Sequence, residues 1–204
     1  MSDKHPGRPL GTGLGGRTRA FSPTELDQFL QAAKRTGKRE DLMMSLTYYF
    51  GLRVAELVEI RRADINAASR SIVIRAKKHG LTKDYPLPER LWKKYTAYLR
   101  ERGEDANPWL FRHRVYSETE HLTREGAMSA FERILQASGV QGSHSIHDLR
   151  HTCAQEMARR GDSLYQIASW MRHRSLSSSM RYIDHRNDQA HAATMAQRAS
   201  EIFR

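Results

Sequence analysis

Apolar residues recur along most of this chain at the spacing of an amphipathic helix. Leu26, Phe29 and Ala33 define one apolar face. The serine, proline and glutamate within residues 22–25 form a helix start signal, and Gly37 ends the pattern. Similar faces predict further helices over residues 41–50, 54–58, 89–101, 127–138 and 164–171, and over a segment that ends near residue 160.

The pattern changes in one region, where strand-forming residues replace the helical spacing. Residues 71–75 (SIVIR) are rich in β-branched side chains, residues 79–82 form a predicted turn, and residues 83–87 form the return strand. Pro86 places the second strand at an edge or a strand end, because proline cannot donate to a β-ladder. The expected fold is therefore mainly α with a small antiparallel β-hairpin or sheet (α+β).

Two segments differ in composition. Residues 1–20 are rich in glycine, arginine and proline and offer almost nothing to bury, so we predict a flexible arm. Residues 21–204, including a C-terminal helical tail, are predicted to form one domain. Arg8, Arg17 and Arg19 could place the arm in a DNA minor groove, and the alternative is a tail that adds charge without specificity.

Charge narrows the class of partner. The 204 residues carry a net charge of +11, with an isoelectric point near 10.1, which favours nucleic acid or another anionic surface. The mean hydropathy is -0.72, and we expect neither a membrane span nor a secretory signal. The single cysteine, Cys153, is expected to be a small buried hydrophobe. A cytoplasmic, DNA-associated protein fits these features.

Five residues together suggest a chemistry. Arg53 and Arg150 can hold a phosphate through forked hydrogen bonds, and His147 and His173 can move or donate protons near neutral pH. Tyr182 lies nine residues after His173 and offers a phenolic nucleophile. On a strongly basic chain, this set indicates a phosphodiester that is cut by tyrosine.

The same residues carry a family resemblance. Residues 51–57 (GLRVAEL), a Lys-x-Gly hairpin that ends in Pro-Leu-Pro at 86–88, the run His-Asp-Leu-Arg-His at 147–151, and His173 followed by Tyr182 closely resemble the tyrosine recombinase (phage integrase) family. The order is that of the family from about residue 22 to residue 188. The resemblance implies the catalytic-domain fold of this family, and DNA strand transfer through a 3′-phosphotyrosyl link without metal or ATP.

The resemblance also implies roles for individual residues. Lys78 matches the spacing of the general acid that protonates the leaving 5′-oxygen, and Lys77 is the alternative, because adjacent strand residues point to opposite faces. The implied catalytic set is Arg53, Lys78, His147, Arg150, His173 and Tyr182. Expected DNA contacts are Arg8, Arg17, Arg19, Lys77, Lys83, Arg172 and Arg174.

One local departure and the overall size set this chain apart within the family. Arg172 stands where the family usually has glycine. Only about twenty residues precede the catalytic domain, so the chain resembles the compact members that invert fimbrial promoter switches. The implied partners are double-stranded DNA and further copies of the chain, in a tetramer on two DNA sites that uses the C-terminal tail near Met195, Ile202 and Phe203.

Several alternatives stay open at this point. The chain could be a DNA-binding regulator that keeps the fold, or a type IB topoisomerase-like enzyme that relaxes DNA. His144, His147, His151 and Cys153 could form a zinc cluster, although no second ligand pair with familiar spacing follows and we expect no metal. Glu56 could orient a guanidinium or could equally be an ordinary solvated or capping acid.

Overall fold

The computed structural model describes residues 19–75, 82–113 and 119–173. Within these ranges the chain forms seven α-helices and one three-stranded antiparallel sheet. The helices are α1 (Pro23–Thr36), α2 (Lys38–Tyr49), α3 (Val54–Val58), α4 (Glu89–Arg102), α5 (Arg124–Ser138), α6 (Ile146–Arg159) and α7 (Leu164–Trp170). The strands are β1 (Ile65–Asn66), β2 (Ser71–Ile74) and β3 (Lys83–Pro86).

Helix α1 begins where its sequence predicts. The Ser22 hydroxyl accepts a hydrogen bond from the Glu25 amide at 3.3 Å, and the Glu25 carboxylate accepts one from the Ser22 amide at 2.8 Å. This reciprocal capping box satisfies two amides that have no partner inside the helix. Helix α2 begins at Lys38, three residues before its predicted start, directly after Gly37.

The predicted hairpin exists and gains a third strand. Strands β2 and β3 pair with Ile72 opposite Tyr85, and β1 pairs with the other edge of β2, with Ile65 opposite Ile72. Ile72 and Tyr85 are both buried, so one face of the sheet contributes to the core. The predicted turn falls mostly within residues 76–81, which lie outside the described residues, as do Lys77 and Lys78.

The helices pack around a shared apolar core. Helix α1 packs against α2 and α5, and α2 also packs against α4 and α6. Phe29 and Phe131 meet at the α1–α5 contact with ring centroids 4.9 Å apart. Between α4 and α5, Leu110 and Phe111 are fully buried and anchor that connection to the core. Helix α3 packs against α2 and α7 packs against α6, so these four helices are fixed relative to one another.

The structure also bears on the predictions for Cys153 and for a membrane span. Cys153 is buried on α6, and burial raises the pKa of its thiol to about 12, as expected for a packed hydrophobe. No helix in the described part of the chain is long and apolar enough to cross a membrane. The predicted arm, apart from Arg19 and Ala20, and the predicted C-terminal tail lie outside the described residues.

Candidate active site

The first predicted phosphate ligand, Arg53, stands at the break between α2 and α3. It is the N-cap residue of α3, with extended backbone angles (φ -74°, ψ 150°). The Arg53 guanidinium donates to the Glu56 carboxylate at 2.9 Å, and its side chain remains 42% exposed. An arginine held by one edge and open to solvent on the other can offer its remaining N–H groups to an anion.

Gly51 makes the α2–α3 break possible. Its φ of +54° lies in the left-handed region that glycine adopts without strain. A Cβ atom at this position would lie 2.5 Å from the Met171 sulfur atom, so the buried Met171 side chain would have to shift. The break therefore presents the Gly51 carbonyl and Arg53 directly beside the end of α7.

Glu56 lies beneath this break and its carboxylate is fully buried. It accepts hydrogen bonds from the Arg53 amide at 3.0 Å and from the guanidiniums of Arg53 and Arg172, each at 2.9 Å. Burial alone would raise the pKa of Glu56, but the charge of Arg172 and these hydrogen bonds outweigh it and lower the pKa. Glu56 is thus an ionised buried acid that both caps α3 through the Arg53 amide and binds the guanidiniums of Arg53 and Arg172. Two of its open interpretations therefore hold together, and only the solvated acid is wrong.

The second predicted phosphate ligand, Arg150, lies on α6 and is 6% exposed. Its guanidinium donates to the Gly51 carbonyl and, at 2.7 Å, to the Met171 carbonyl. One of its nitrogens also lies 4.0 Å from a Glu56 carboxylate oxygen. Arg53 and Arg150 therefore come from elements about a hundred residues apart and meet at the same carboxylate.

His147 lies in the first turn of α6, three residues before Arg150, and is exposed. The turn is held by Asp148, whose carboxylate accepts from the Ser145 amide at 2.7 Å. The start of a helix favours negative charge, since its amides and dipole point outward there. His147 is therefore positioned to meet an anion that approaches Arg150 from this end of α6.

His173 is placed by the turn that ends α7. The His173 amide donates to the Ala168 carbonyl at 2.8 Å, and the Arg172 amide donates to the Ser169 carbonyl at 3.3 Å. These two hydrogen bonds form a Schellman motif, in which the residue between the helix and its exit adopts a left-handed conformation. Here that residue is Arg172, with φ +56°. The same turn presents the Met171 carbonyl to Arg150.

The sequence predicts that Arg172 contacts DNA, and the structure contradicts this prediction. It is 1% exposed, and its guanidinium points into the interior. Besides Glu56, it donates to the Phe50 carbonyl at 3.1 Å, the Trp170 carbonyl at 3.0 Å and the Tyr85 hydroxyl at 3.1 Å. An internal role replaces the expected phosphate contact, and the sequence showed only that an unusual residue stands before His173.

The remaining predicted residues fall into two groups. Within the described residues, Lys83 is half-buried and donates to the Ser169 hydroxyl on α7. Arg19 pairs with Glu25 at 2.6 Å, and the Arg19 side chain is 57% exposed. Among the described residues, no three His, Cys, Asp or Glu side chains cluster as a metal site. Outside the described residues lie Arg8, Arg17, Lys77, Lys78, Arg174 and Tyr182.

The arrangement suits a phosphodiester whose negative charge grows during reaction. Arg53, Arg150 and Arg172 bring three positive charges to the single negative charge of Glu56, which leaves a local excess of two. Guanidiniums stay charged at any working pH, so this excess persists. His147 and His173 add two imidazoles that can donate hydrogen bonds or exchange protons. Such an arrangement could bind an anion and supply proton-transfer groups beside it.

The fold is helical with a small antiparallel sheet, two arginines converge on one buried carboxylate, and two histidines stand at the start of α6 and the end of α7. This combination defines a class of DNA strand-transfer domain. The family model described as "Phage integrase family" matches residues 19–189. The chain therefore belongs to the phage integrase family, as its sequence motifs predicted.

Two relatives illustrate the sequence similarity. "Tyrosine recombinase XerA" of Pyrococcus furiosus is 27% identical over 164 residues, which is 80% of this chain and 56% of the relative. "Type 1 fimbriae regulatory protein FimE" of Escherichia coli K12 is 28% identical over 176 residues, covering 81% of this chain and 85% of the relative. This chain thus spans little more than half of XerA but most of FimE.

Solved structures confirm the expected fold. The crystal structure of XerA recombinase superposes with a TM-score of 0.72 at 24% identity, covering 88% of this chain and 65% of that one. The XerH site-specific recombinase, solved as a pre-cleavage complex on its difH substrate, gives a TM-score of 0.67 at 21% identity, covering 84% and 51%. The described core is therefore the tyrosine recombinase catalytic-domain fold.

Proposed function

We propose that this chain is a site-specific DNA recombinase that cuts and rejoins DNA through a 3′-phosphotyrosyl intermediate on Tyr182. The observation that carries the proposal is the convergence of Arg53 and Arg150 on the buried Glu56 carboxylate. A protein that only bound DNA would not need two guanidiniums held this tightly beside two imidazoles. Family membership and the relatives named above support the same function.

In the proposed reaction, the two arginines stabilise the charge that develops on the non-bridging oxygens of the scissile phosphate. The phenol oxygen of Tyr182 forms a bond to phosphorus while the bond to the 5′-oxygen breaks. His147 accepts the phenol proton, His173 donates to a non-bridging oxygen, and Lys78 gives a proton to the leaving oxygen. The phosphodiester energy is retained in the covalent link, so neither ATP nor a metal is needed.

The magnitude of the arginine contribution follows from electrostatic preorganisation. Removing one donor that is already aimed at a developing oxyanion typically costs about 3–4 kcal/mol, or about a hundredfold to a thousandfold in rate. Lysine should not restore this loss at Arg53 or Arg150, because an ammonium lacks the planar fork of a guanidinium. Before DNA arrives, the Glu56 carboxylate holds the Arg53 guanidinium, and the Gly51 and Met171 carbonyls hold that of Arg150.

The proposed partners are double-stranded DNA and three further copies of the chain. XerH was solved bound to its DNA substrate, which supports DNA as the partner here. A tetramer that holds two DNA sites, joined by the segment with Met195, Ile202 and Phe203, would allow strands to be exchanged rather than only cut. Such a protein would act at the nucleoid.

A nicked suicide substrate tests the proposal directly. Once the short strand beyond the nick dissociates after cleavage, religation is prevented and the covalent protein–DNA adduct accumulates. We expect wild-type protein to form this adduct and Tyr182→Phe to form none, because phenylalanine has no nucleophilic oxygen. Denaturing gel electrophoresis with labelled DNA measures the adduct.

The matched control is Tyr165→Phe, which removes the hydroxyl of a tyrosine on α7 that is 73% exposed. This variant should form the adduct at the wild-type rate. An adduct that persists in Tyr182→Phe, or is missing with wild-type protein, would overturn the assignment. A plasmid with two recombination sites then separates inversion or excision products from the relaxed circles that a topoisomerase would give.

A further inference from the structure

We propose that Arg172 is a positioning residue that joins the end of α7 to the α2–α3 break and so sets Arg53, Arg150 and His173 relative to one another. The proposal rests on the function proposed above and adds a residue that never touches the DNA. It is carried by three observations: the backbone conformation of Arg172, the partners of its guanidinium, and the acceptors it shares with the phosphate ligands.

The backbone conformation is unfavourable for arginine. Arg172 has a φ of +56°, a region that residues with a Cβ atom seldom adopt and that glycine adopts freely. The turn itself therefore gives no reason for an arginine here. Strain of this kind persists only where the surrounding contacts hold the residue in place, and at Arg172 those contacts come from the side chain.

The guanidinium makes contact with every element that borders the site except α6. Its partners are the Phe50 and Gly51 carbonyls after α2, the Glu56 carboxylate on α3, the Tyr85 hydroxyl on β3 and the Trp170 carbonyl at the end of α7. The planar, forked geometry of arginine allows one side chain to satisfy acceptors that lie in several directions. Lysine would keep the charge but could not reproduce this set.

Two of these acceptors are shared with the phosphate ligands. The Gly51 carbonyl accepts from both Arg150 and Arg172. The Arg53 guanidinium donates to Oε1 of Glu56, whereas Arg172 donates to Oε2, which also accepts from the Arg53 amide and lies 4.0 Å from Arg150. Loss of Arg172 would leave one Glu56 oxygen without its closest guanidinium, and this oxygen could then draw Arg150 away from the position that faces the phosphate.

Arg172 also fixes the position of His173. The Schellman turn places His173 one residue after Arg172 and presents the Met171 carbonyl to Arg150. If the Arg172 side chain no longer holds this turn against Phe50 and Gly51, the imidazole and the Arg150 acceptor shift together. The expected defect is therefore one of geometry at the reacting phosphate, and DNA binding by the remaining surface should persist.

The test compares Arg172→Met and Arg172→Lys with wild type in single-turnover adduct formation on the suicide substrate, at saturating DNA and well below the melting temperature. We expect Arg172→Met to slow adduct formation about 10- to 100-fold while the Kd for DNA changes less than about threefold. Arg172→Lys should recover only part of the rate. Arg172→Gly, which relieves the backbone strain, provides a slow but stably folded variant if methionine impairs folding.

The matched control is Arg102→Met. Arg102 is also a buried arginine; it pairs with Asp105 at 2.6 Å and donates to the Trp109 and Leu110 carbonyls in the connection between α4 and α5. None of these acceptors is among those named above for Arg53, Arg150 or Arg172. Its loss should lower the melting temperature yet leave the adduct rate of the folded protein within about threefold of wild type. An equal loss of rate in Arg102→Met and Arg172→Met would show that Arg172 is only a structural residue.

A second substrate separates positioning from general stability. Replacing the scissile phosphate by a neutral methylphosphonate removes most of the charge that the two arginines stabilise. The deficit of Arg172→Met should therefore be smaller on this substrate than on phosphate, with a remainder from His173, because the methylphosphonate keeps one non-bridging oxygen. An Arg172→Met rate equal to wild type on phosphate, or a deficit of the same size on both substrates, would overturn the proposal. Failure of wild-type protein to form any adduct would instead overturn the proposed function.

Discussion

At the scale of single residues, one buried carboxylate decides how the positive charge of the site is arranged. Glu56 has no exposure to solvent and is surrounded by Arg53, Arg150 and Arg172. A buried charge is tolerated only when it is paired and hydrogen-bonded, and Glu56 accepts hydrogen bonds from the guanidiniums of Arg53 and Arg172. Arg150 lies 4.0 Å away and donates to two backbone carbonyls. The group gives up some solvation but gains a fixed geometry in which two guanidiniums face the position proposed for the phosphate.

The first prediction concerns Glu56→Gln. The amide matches the carboxylate in shape but removes the charge that compensates three guanidiniums, so we expect a loss of about 3–5 kcal/mol in the free energy of unfolding at pH 7. Urea denaturation followed by circular dichroism measures it. Glu25→Gln is the control, because Glu25 caps α1 at the protein surface, and its loss should cost about 1 kcal/mol.

The lowered pKa of Glu56 gives this prediction a pH dependence. The stabilising contribution of a carboxyl whose folded-state pKa is depressed is fully present above the pKa of the unfolded chain, near 4.5, and is lost as the pH falls through the folded-state pKa. The gap in unfolding free energy between wild type and Glu56→Gln should therefore be constant above about pH 5 and narrow below it. A gap that is unchanged at pH 3 would contradict an ionised Glu56.

At the scale of secondary-structure elements, the break between α2 and α3 is the feature on which the site is built. Gly51 turns the chain with a positive φ, Leu52 buries the turn, and Arg53 then opens α3 at the surface. Because Met171 packs directly against Gly51, the end of α7 lies close enough for Arg150 to bind carbonyls from both segments. The contact between Gly51 and Met171 thus fixes the α2–α3 break relative to the end of α7.

Substitution of Gly51 by alanine should damage both stability and catalysis. The added Cβ would lie 2.5 Å from the Met171 sulfur, on top of the strain of a positive φ. We expect a loss of about 2–4 kcal/mol in unfolding free energy from left-handed strain and overpacking together. Adduct formation should also slow, because the carbonyls that hold Arg150 must move.

Gly139→Ala isolates the backbone component of that effect. Gly139 also has a positive φ, +72°, but a Cβ there would meet nothing within 4 Å. It ends α5, away from the groups that form the site. This variant should lose only about 1–2 kcal/mol and keep the wild-type adduct rate. Equal losses in the two variants would show that the Met171 contact does not position α7.

The local sequence pattern predicts some secondary-structure elements of this fold and misses others. Helices α1 and α5 were predictable because their apolar spacing and their terminal residues agree, and each ends at the expected glycine. Strand β1 was not predicted, since two residues give no periodicity and its pairing with β2 depends on a contact within the folded sheet. Local pattern thus defines long elements and misses those that exist only through tertiary contacts.

The same distinction applies to the site. The motif residues Arg53, His147, Arg150 and His173 were identified from their types and order, and the structure connects Arg53 with Arg150 through Glu56. The sequence could not show that Arg172 points inward, because the direction of a side chain at a helix end depends on what lies across from it. Three of its acceptors, at Phe50, Gly51 and Glu56, come from a segment more than a hundred residues earlier in the chain.

At the scale of the whole molecule, charge is the property that most distinguishes this chain from an ordinary globular domain. The net charge is +11, and the local excess around Glu56 accounts for only a small part of it. Neutralising DNA phosphates releases counterions, so affinity should fall steeply with salt, with a log–log slope of about -0.9 for each phosphate contacted. The slope therefore gives the number of phosphates that the protein contacts. The change in slope on substituting a basic residue shows whether that residue makes one of these contacts.

The last prediction assigns such contacts to the N-terminal arm. If Arg8 and Arg17 each bind a phosphate, the double substitution to alanine should make the salt slope shallower by about 1.8 and weaken binding to all DNA sequences alike. Fluorescence anisotropy between about 50 and 200 mM salt measures the slope. Arg100→Ala with Arg133→Ala is the control: both residues are exposed, on α4 and α5, and the net charge changes equally. A similar change in slope for both pairs would show that the arm contributes only its share of the total charge, as a tail without defined contacts.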